Sequence, residues 1–216
     1  MNRLSLRPIL APLVGVALCL LVMPHPGATE RTEFLAQFAA KAVSVSDPED
    51  ASRIEIYIQR WSTDEELSKL SRTLVEGYAG QLLPVLEQLR QRVGVVLLPG
   101  VQARGERVRM RTPKDLLFAR EIATPAGRQV IVASGERLGL GETRLEARRE
   151  IAEFNLMDIR FGPDGKGVGK VAGAGDVVFN PATKALEVKN YAAQPVRLID
   201  VRPEKDTKTH QYRGRP

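Results

Sequence analysis

The sequence predicts an α+β domain: one helical hairpin packed on an antiparallel, meander-like β-sheet, whose curling into a partial barrel the pattern leaves open. Three observations carry this. Arg53-Ile54-Glu55-Ile56-Tyr57-Ile58-Gln59-Arg60-Trp61 alternates apolar and polar residues, the period of a half-buried strand. Two leucine-striped segments follow it, and from Val95 onward short β-type runs are separated by Gly, Pro and Asn turns.

In chain order, Phe34 to Val45 is ambiguous, because its alanines favour helix while Val43-Ser44-Val45 favours strand. After the 53–61 strand, Ser62-Thr63-Asp64-Glu65 places a hydroxyl cap three residues before a carboxylate, so a helix is expected to start there. Leu67, Leu70 and Leu74 form its apolar stripe, and Gly77 with Gly80 ends it. A second helix is expected from about Gly80 to Arg92 through Leu82, Leu83, Leu86 and Leu89, with Pro84 tolerated near the first turn. Val95 to Leu98 reads as a short buried strand and Arg107 to Arg111 as an alternating one. Leu116 to Glu121 with Gln129 to Ser134 reads as a hairpin, as do Ile151 to Phe161 with Lys166 to Ala172 and Asp176 to Phe179 with Ala185 to Lys189. Val196 to Val201 is the last strand, and residues 203–216 are polar and charged enough to form a loose tail.

The chain opens with Arg3 and Arg7, runs apolar from Pro8 to Met23 and turns to Pro24-His25-Pro26-Gly27-Ala28. That order is the pattern of a secretory signal, and the apolar stretch is shorter than the roughly 20 residues a spanning helix needs. Residues 1–28 are therefore read as a signal, and residues 29–202 as one domain that is periplasmic or secreted. The cleavage position is poorly defined, so an uncleaved signal would tether the protein to a membrane. Removing the signal takes Arg3 and Arg7 but no acid, lowering the formal charge from +6 to +4. It also removes Cys19, the only cysteine, and His25, one of two histidines.

Arg60-Trp61-Ser62-Thr63-Asp64-Glu65, Phe118-Ala119-Arg120, Asp164 through Lys170, and Leu186 through Leu198 with Asn190-Tyr191-x-x-Gln194-Pro195-Val196-Arg197-Leu198 carry a resemblance. Over about Arg53 to Val201 the chain resembles an uncharacterised family of exported bacterial proteins with Arg-Trp-Ser-Thr-Asp and Asn-Tyr-x-x-Gln-Pro-Val-Arg-Leu motifs. It departs from that pattern at Leu97 to Arg111 and Leu138 to Arg149. The resemblance implies an exported, bacterial, single-domain protein and brings no activity, cofactor or catalytic residue with it.

With His210 in the expected tail, Ser-His-Asp and Cys-His catalysis and His-rich zinc sites have no residues to use. Neither Ser-x-x-Lys nor Gly-x-Ser-x-Gly occurs. Gly167-Val168-Gly169-Lys170-Val171-Ala172 formally matches Gly-x-Gly-x-x-Ala, but a dinucleotide loop must open a helix, and here strand-like residues follow. Turns account for the glycines better, and no cofactor or metal is expected. Carboxylate chemistry needs two acids about 5 to 10 Å apart. Asp158 is followed two residues on by Arg160 and Glu187 by Lys189, which reads as solvated ion pairs on strand faces. Trp61 reads as a core residue under the helical hairpin, and Tyr191 similarly.

Arg107, Arg109 and Arg111 alternate with Val108 and Met110, which makes them the candidate anion-binding group, suited to phosphate or carboxylate. Export, modest charge and 5% aromatic content argue against nucleic acid as a partner. Three readings stand. The first is an exported, non-enzymatic binding or assembly module with an envelope or periplasmic partner, anionic if the arginines meet it. The second is a carboxylate-dependent hydrolase acting on cell-envelope material, and the third a soluble scaffold with no small ligand.

Overall fold

The computed structural model describes residues 33–45, 51–77, 79–89, 91–98, 112–140, 154–194 and 196–204. All belong to one compact unit, Arg31–Pro216. Ten strands are described: β1 (Ala36–Ser44), β2 (Ser52–Ile58), β3 (Gly94–Leu98), β4 (Thr112–Thr124), β5 (Gly127–Ser134), β6 (Asn155–Phe161), β7 (Gly167–Gly173), β8 (Val177–Asn180), β9 (Ala185–Val188) and β10 (Val196–Pro203). Helices α1 (Asp64–Val75) and α2 (Leu82–Gln88) lie between β2 and β3.

The α+β expectation holds, with an antiparallel meander and one helical hairpin, and the sheet closes completely. β1 to β7 pair in succession, β10 pairs with β7, and β10 returns to pair with β1, giving a closed barrel of eight strands. Phe34–Val45, ambiguous in sequence, holds strand β1: each side of it is paired, Ala36↔Ile58 through Ala42↔Ser52 on one flank and Lys41↔Ile199 through Ser44↔Val196 on the other.

Alternation puts one set of side chains inside. Phe38, Ala40, Ala42, Ile54, Ile56, Ile58, Val96, Leu116, Val130, Val132, Met157, Ile159, Val171 and Leu198 are buried in a single cluster. An eight-stranded barrel has an interior that side chains can just fill, and here they fill it. Gly167 and Gly169 supply the small positions: a Cβ on Gly167 would stand 2.7 Å from the Phe161 ring and 3.0 Å from Val201, and one on Gly169 3.2 Å from both Ile159 and Leu198. The glycine-rich segment is thus a turn only over 162–165, where Gly165 has φ 74. Gly167 and Gly169 make room inside β7.

Both ends of the interior are closed. At one, Arg128 lies over the rings of Phe161 (4.6 Å) and Phe38 (5.7 Å) and pairs with Glu121 (2.8 Å). At the other, Leu138 and Leu140 join the interior cluster, held by Asn155 Oδ1, which accepts from Leu138 N (2.7 Å). Apolar side chains inside and Lys41, Arg53, Arg197 and Arg202 exposed outside are the reverse of a barrel that crosses a bilayer. Among the described residues no helix is long and apolar enough to span one.

A second apolar cluster covers part of the outer wall. Phe118, Ile131, Ala133, Leu156 and Ala172 point outward from β4 to β7 and meet Leu67 and Leu70 of α1, Leu82 and Leu86 of α2, and Val177, Ala185, Leu186 and Val188 of the β8–β9 hairpin. Each leucine so buried contributes about 1.5 to 3 kcal/mol. Trp61 departs from expectation: it packs against the interior cluster, where the barrel end needs a plug, and the helices take their core from leucines. β10 runs through Pro203, and Glu204 N donates to Gln37 O (2.9 Å), so the ordered chain extends past residue 202.

Backbone proximity constrains Gly127, beside the Phe161 carbonyl oxygen, and Gly94. A Cβ on Gly94 would collide with the Tyr57 carbonyl oxygen, which cannot rotate away, whereas one on Gly80 meets nothing within 4 Å. Gly94→Ala is expected to lower unfolding free energy by about 3 kcal/mol in urea titration, against a change within about 0.5 kcal/mol for Gly80→Ala.

Candidate functional site

Two polar constellations hold outside elements onto the barrel, and each joins motif residues singled out in the sequence to others. The first lies where β2 passes into α1. β4 extends well beyond the start of β3, which leaves the far half of its edge without a β3 partner. Ser62 takes that place: Ser62 N donates to Ala119 O (2.7 Å), and Ala119 N donates to Ser62 Oγ (3.1 Å). Arg120 then pairs with Asp64 at 2.7 Å. The Trp-Ser-Thr-Asp and Phe-Ala-Arg segments thus meet each other.

With Ser62 engaged, the helix cap falls one residue later than expected. Thr63 is the N-cap of α1, its hydroxyl accepting from Glu66 N (3.3 Å) while Glu66 accepts from Thr63 N (2.8 Å). Arg60 grips the same carboxylate with both guanidinium ends, at 2.9 and 2.8 Å, and reaches Gln91 O (3.2 Å) beyond α2. Arg60 lowers the Glu66 pKa, and Glu66 raises that of Arg60. One bidentate pair therefore ties the start of α1 to the exit of α2.

The second constellation sits on the outer wall of β5, β6 and β7. Asp158, expected as half of a solvated pair, is 0% exposed. The reason is coverage by the chain around Tyr191, remote in sequence. Asp158 accepts from Gln129 Nε2 (2.8 Å) and from Arg160 Nη2 (2.9 Å). The Arg160 guanidinium lies 4.0 Å from the centre of the Tyr191 ring, and the Tyr191 hydroxyl donates to Asp158 O (3.5 Å). Beside them Lys170, also buried, donates from Nζ to Ala192 O (3.3 Å) and Gln194 O (3.1 Å). Burial, and then the charge of Arg197, lowers the Lys170 pKa. Asp158 holds Arg160 raised. The Asn-Tyr-x-x-Gln segment is thereby strapped across the wall. Glu187, unlike Asp158, does not take the partner two residues on: its carboxylate accepts from Asn180 and Thr183 inside the β8–β9 hairpin, both at 2.9 Å.

These geometries clamp outside elements onto the barrel. Each buried charge is covered and engaged by donors or acceptors of its own chain, so removing a partner strands a charge that the fold has taken out of water. Two acids share one guanidinium: Glu55, with a 5% exposed side chain, and Glu204. Arg53 Nη2 stands between them, 3.2 Å from one and 3.3 Å from the other. Tyr57 donates to Glu55 (2.9 Å) and Gln37 to Glu204 (2.9 Å), so this group ties β2 and β1 to the end of β10. Among the described residues no three His, Cys, Asp or Glu side chains gather as a metal site requires.

Arg107, Arg109 and Arg111, the sequence-derived anion-binding candidates, lie outside the described residues, as do Cys19, His25 and His210. The segment that carries the three arginines joins Leu98 of β3 to Thr112 of β4, which face each other in the ladder. A scan of protein-family models found no match to this chain, nor did searches of curated proteins and of solved structures.

Burial, with the Asp158 charge adding and Arg160 opposing, pushes the Tyr191 phenol up to about 12 from 10.0. The folded chain then keeps a proton that the unfolded chain releases above its ordinary value. Stability from this group is present below about pH 10 and falls as pH rises toward about 12. Titration of phenolate absorbance is expected to show a component with midpoint near 12 that is missing from Tyr191→Phe.

Proposed function

We propose that this chain is an exported, non-enzymatic binding or assembly module, with its barrel as a rigid scaffold and its outer surface and connections as the working parts. The filled interior carries this reading. Phe38, Met157, Phe161 and their neighbours occupy the space in which a ligand-binding barrel would hold its ligand, and Arg128 and Leu138 close its ends. Chemistry, by contrast, would need exposed acids or a nucleophile set in a cleft, and the acids and lysine that the fold buries are committed to clamps. Export rests on the basic, apolar and small-residue order of residues 1–28.

The partner most consistent with the sequence is anionic and of the periplasm or cell envelope, met by Arg107, Arg109 and Arg111. Replacement of Arg107, Arg109 and Arg111 by serine is expected to release the protein from envelope fractions at markedly lower salt than wild type. Identical salt profiles would remove the arginines from the account. Fractionation with N-terminal sequencing of the native protein tests export, which requires a start near residue 29 and exclusion from the cytoplasm.

A further inference from the structure

The helices and the β8–β9 hairpin cover the wall from β4 to β7, and the strip along β10 and its flanks carries a different surface. A bulge creates it. Strict alternation from Val196 and Leu198 would turn Asp200 inward. Instead the register slips between Leu198 and Val201, Asp200 takes φ 53, and Val201 points in. Ile199 and Asp200 are both turned out.

Ile199 is 37% exposed and Val168, on neighbouring β7, 57% exposed. Exposed cations surround them: Arg197 and Arg202 on β10, Lys41 opposite Ile199 on β1, and Lys166 leading into β7. Asp200 is the acid within this group, and Lys41 pairs with it at 2.9 Å. Hydrogen bonding and charge from Lys41, then the charges of Arg202 and Lys166, lower its pKa, which reports the positive field of the strip. Glu204, at its margin, is engaged by Gln37 and Arg53.

We infer that this β7–β10–β1 face docks on an anionic lipid surface, its cations on headgroup phosphates and Val168 with Ile199 against the headgroup boundary. Charge complementarity sets the sign of the occupant. The aliphatic pair favours lipid over a purely polyanionic polymer, which would need cations alone. The inference goes beyond the function proposed above and rests on residues separate from Arg107, Arg109 and Arg111.

The full chain as recovered from cells, sedimented with vesicles of phosphatidylglycerol mixed into phosphatidylcholine or of phosphatidylcholine alone, tests it. Wild type is expected to bind the anionic vesicles and to be released by salt. Each of Lys166→Ser, Arg197→Ser and Arg202→Ser is expected to weaken binding about fivefold, while Asp200→Asn strengthens it. The three positions are exposed, and an unchanged thermal melt confirms folding. Equal binding to neutral vesicles, no binding to anionic ones, or anionic binding lost only in the Arg107, Arg109 and Arg111 variant would overturn the inference.

Discussion

The pairing of β1 with β10 is the constraint on which the rest of the molecule depends. It joins a strand near residue 40 to one near residue 200 through Lys41↔Ile199, Ala42↔Leu198, Val43↔Arg197 and Ser44↔Val196. Without it the sheet would have two open edges and an apolar face turned to water. With it, the interior becomes a sealed core that needs no disulfide. The Arg53, Gln37 and Glu204 contacts lie on the same seam and tie β2, β1 and the end of β10 together.

Once closed, the barrel keeps most of its charged side chains outside, and the outer wall is used in three ways. Part is covered by leucines of α1 and α2 and by the β8–β9 hairpin. Part is held by two clamps, Arg60 with Glu66 at the helices and Asp158 with Arg160 and Tyr191 under the strap. The remaining face, along β10, is left to solvent with its cations. Bulges make this division possible, since those in β4 and β10 reset alternation so that Ala119 and Val201 face inward.

What was legible in the sequence is what is local. The period-two strand read over Arg53–Trp61, which ends earlier at Ile58, the leucine stripes, and the turns at Gly162–Gly165 and Asn180–Lys184 each carry their signal within a few residues, and each forms. Non-local features were hidden. β1 is alanine-rich and becomes a strand because it is paired on both flanks. Ser62 looked like a cap because Ser62/Glu65 and Thr63/Glu66 have the same spacing, and only the distant Ala119 decides between them. The Asp158–Arg160 pair was visible, but its burial comes from Tyr191, 33 residues away. Of the second clamp, Asp158, Arg160 and Tyr191 were each noticed, and only the fold brings them together.

The functional reading follows from a closed and filled barrel that presents its outside, so closure is the claim to test. Amide hydrogen exchange followed by NMR measures it strand by strand. In a closed barrel neither β1 nor β10 is an edge, and the amides of both that enter the β1–β10 ladder should exchange as slowly as those in the centre of β5 and β6. Exchange of those amides at the rates of exposed edge strands, with β5 and β6 still protected, would contradict closure and the account built on it.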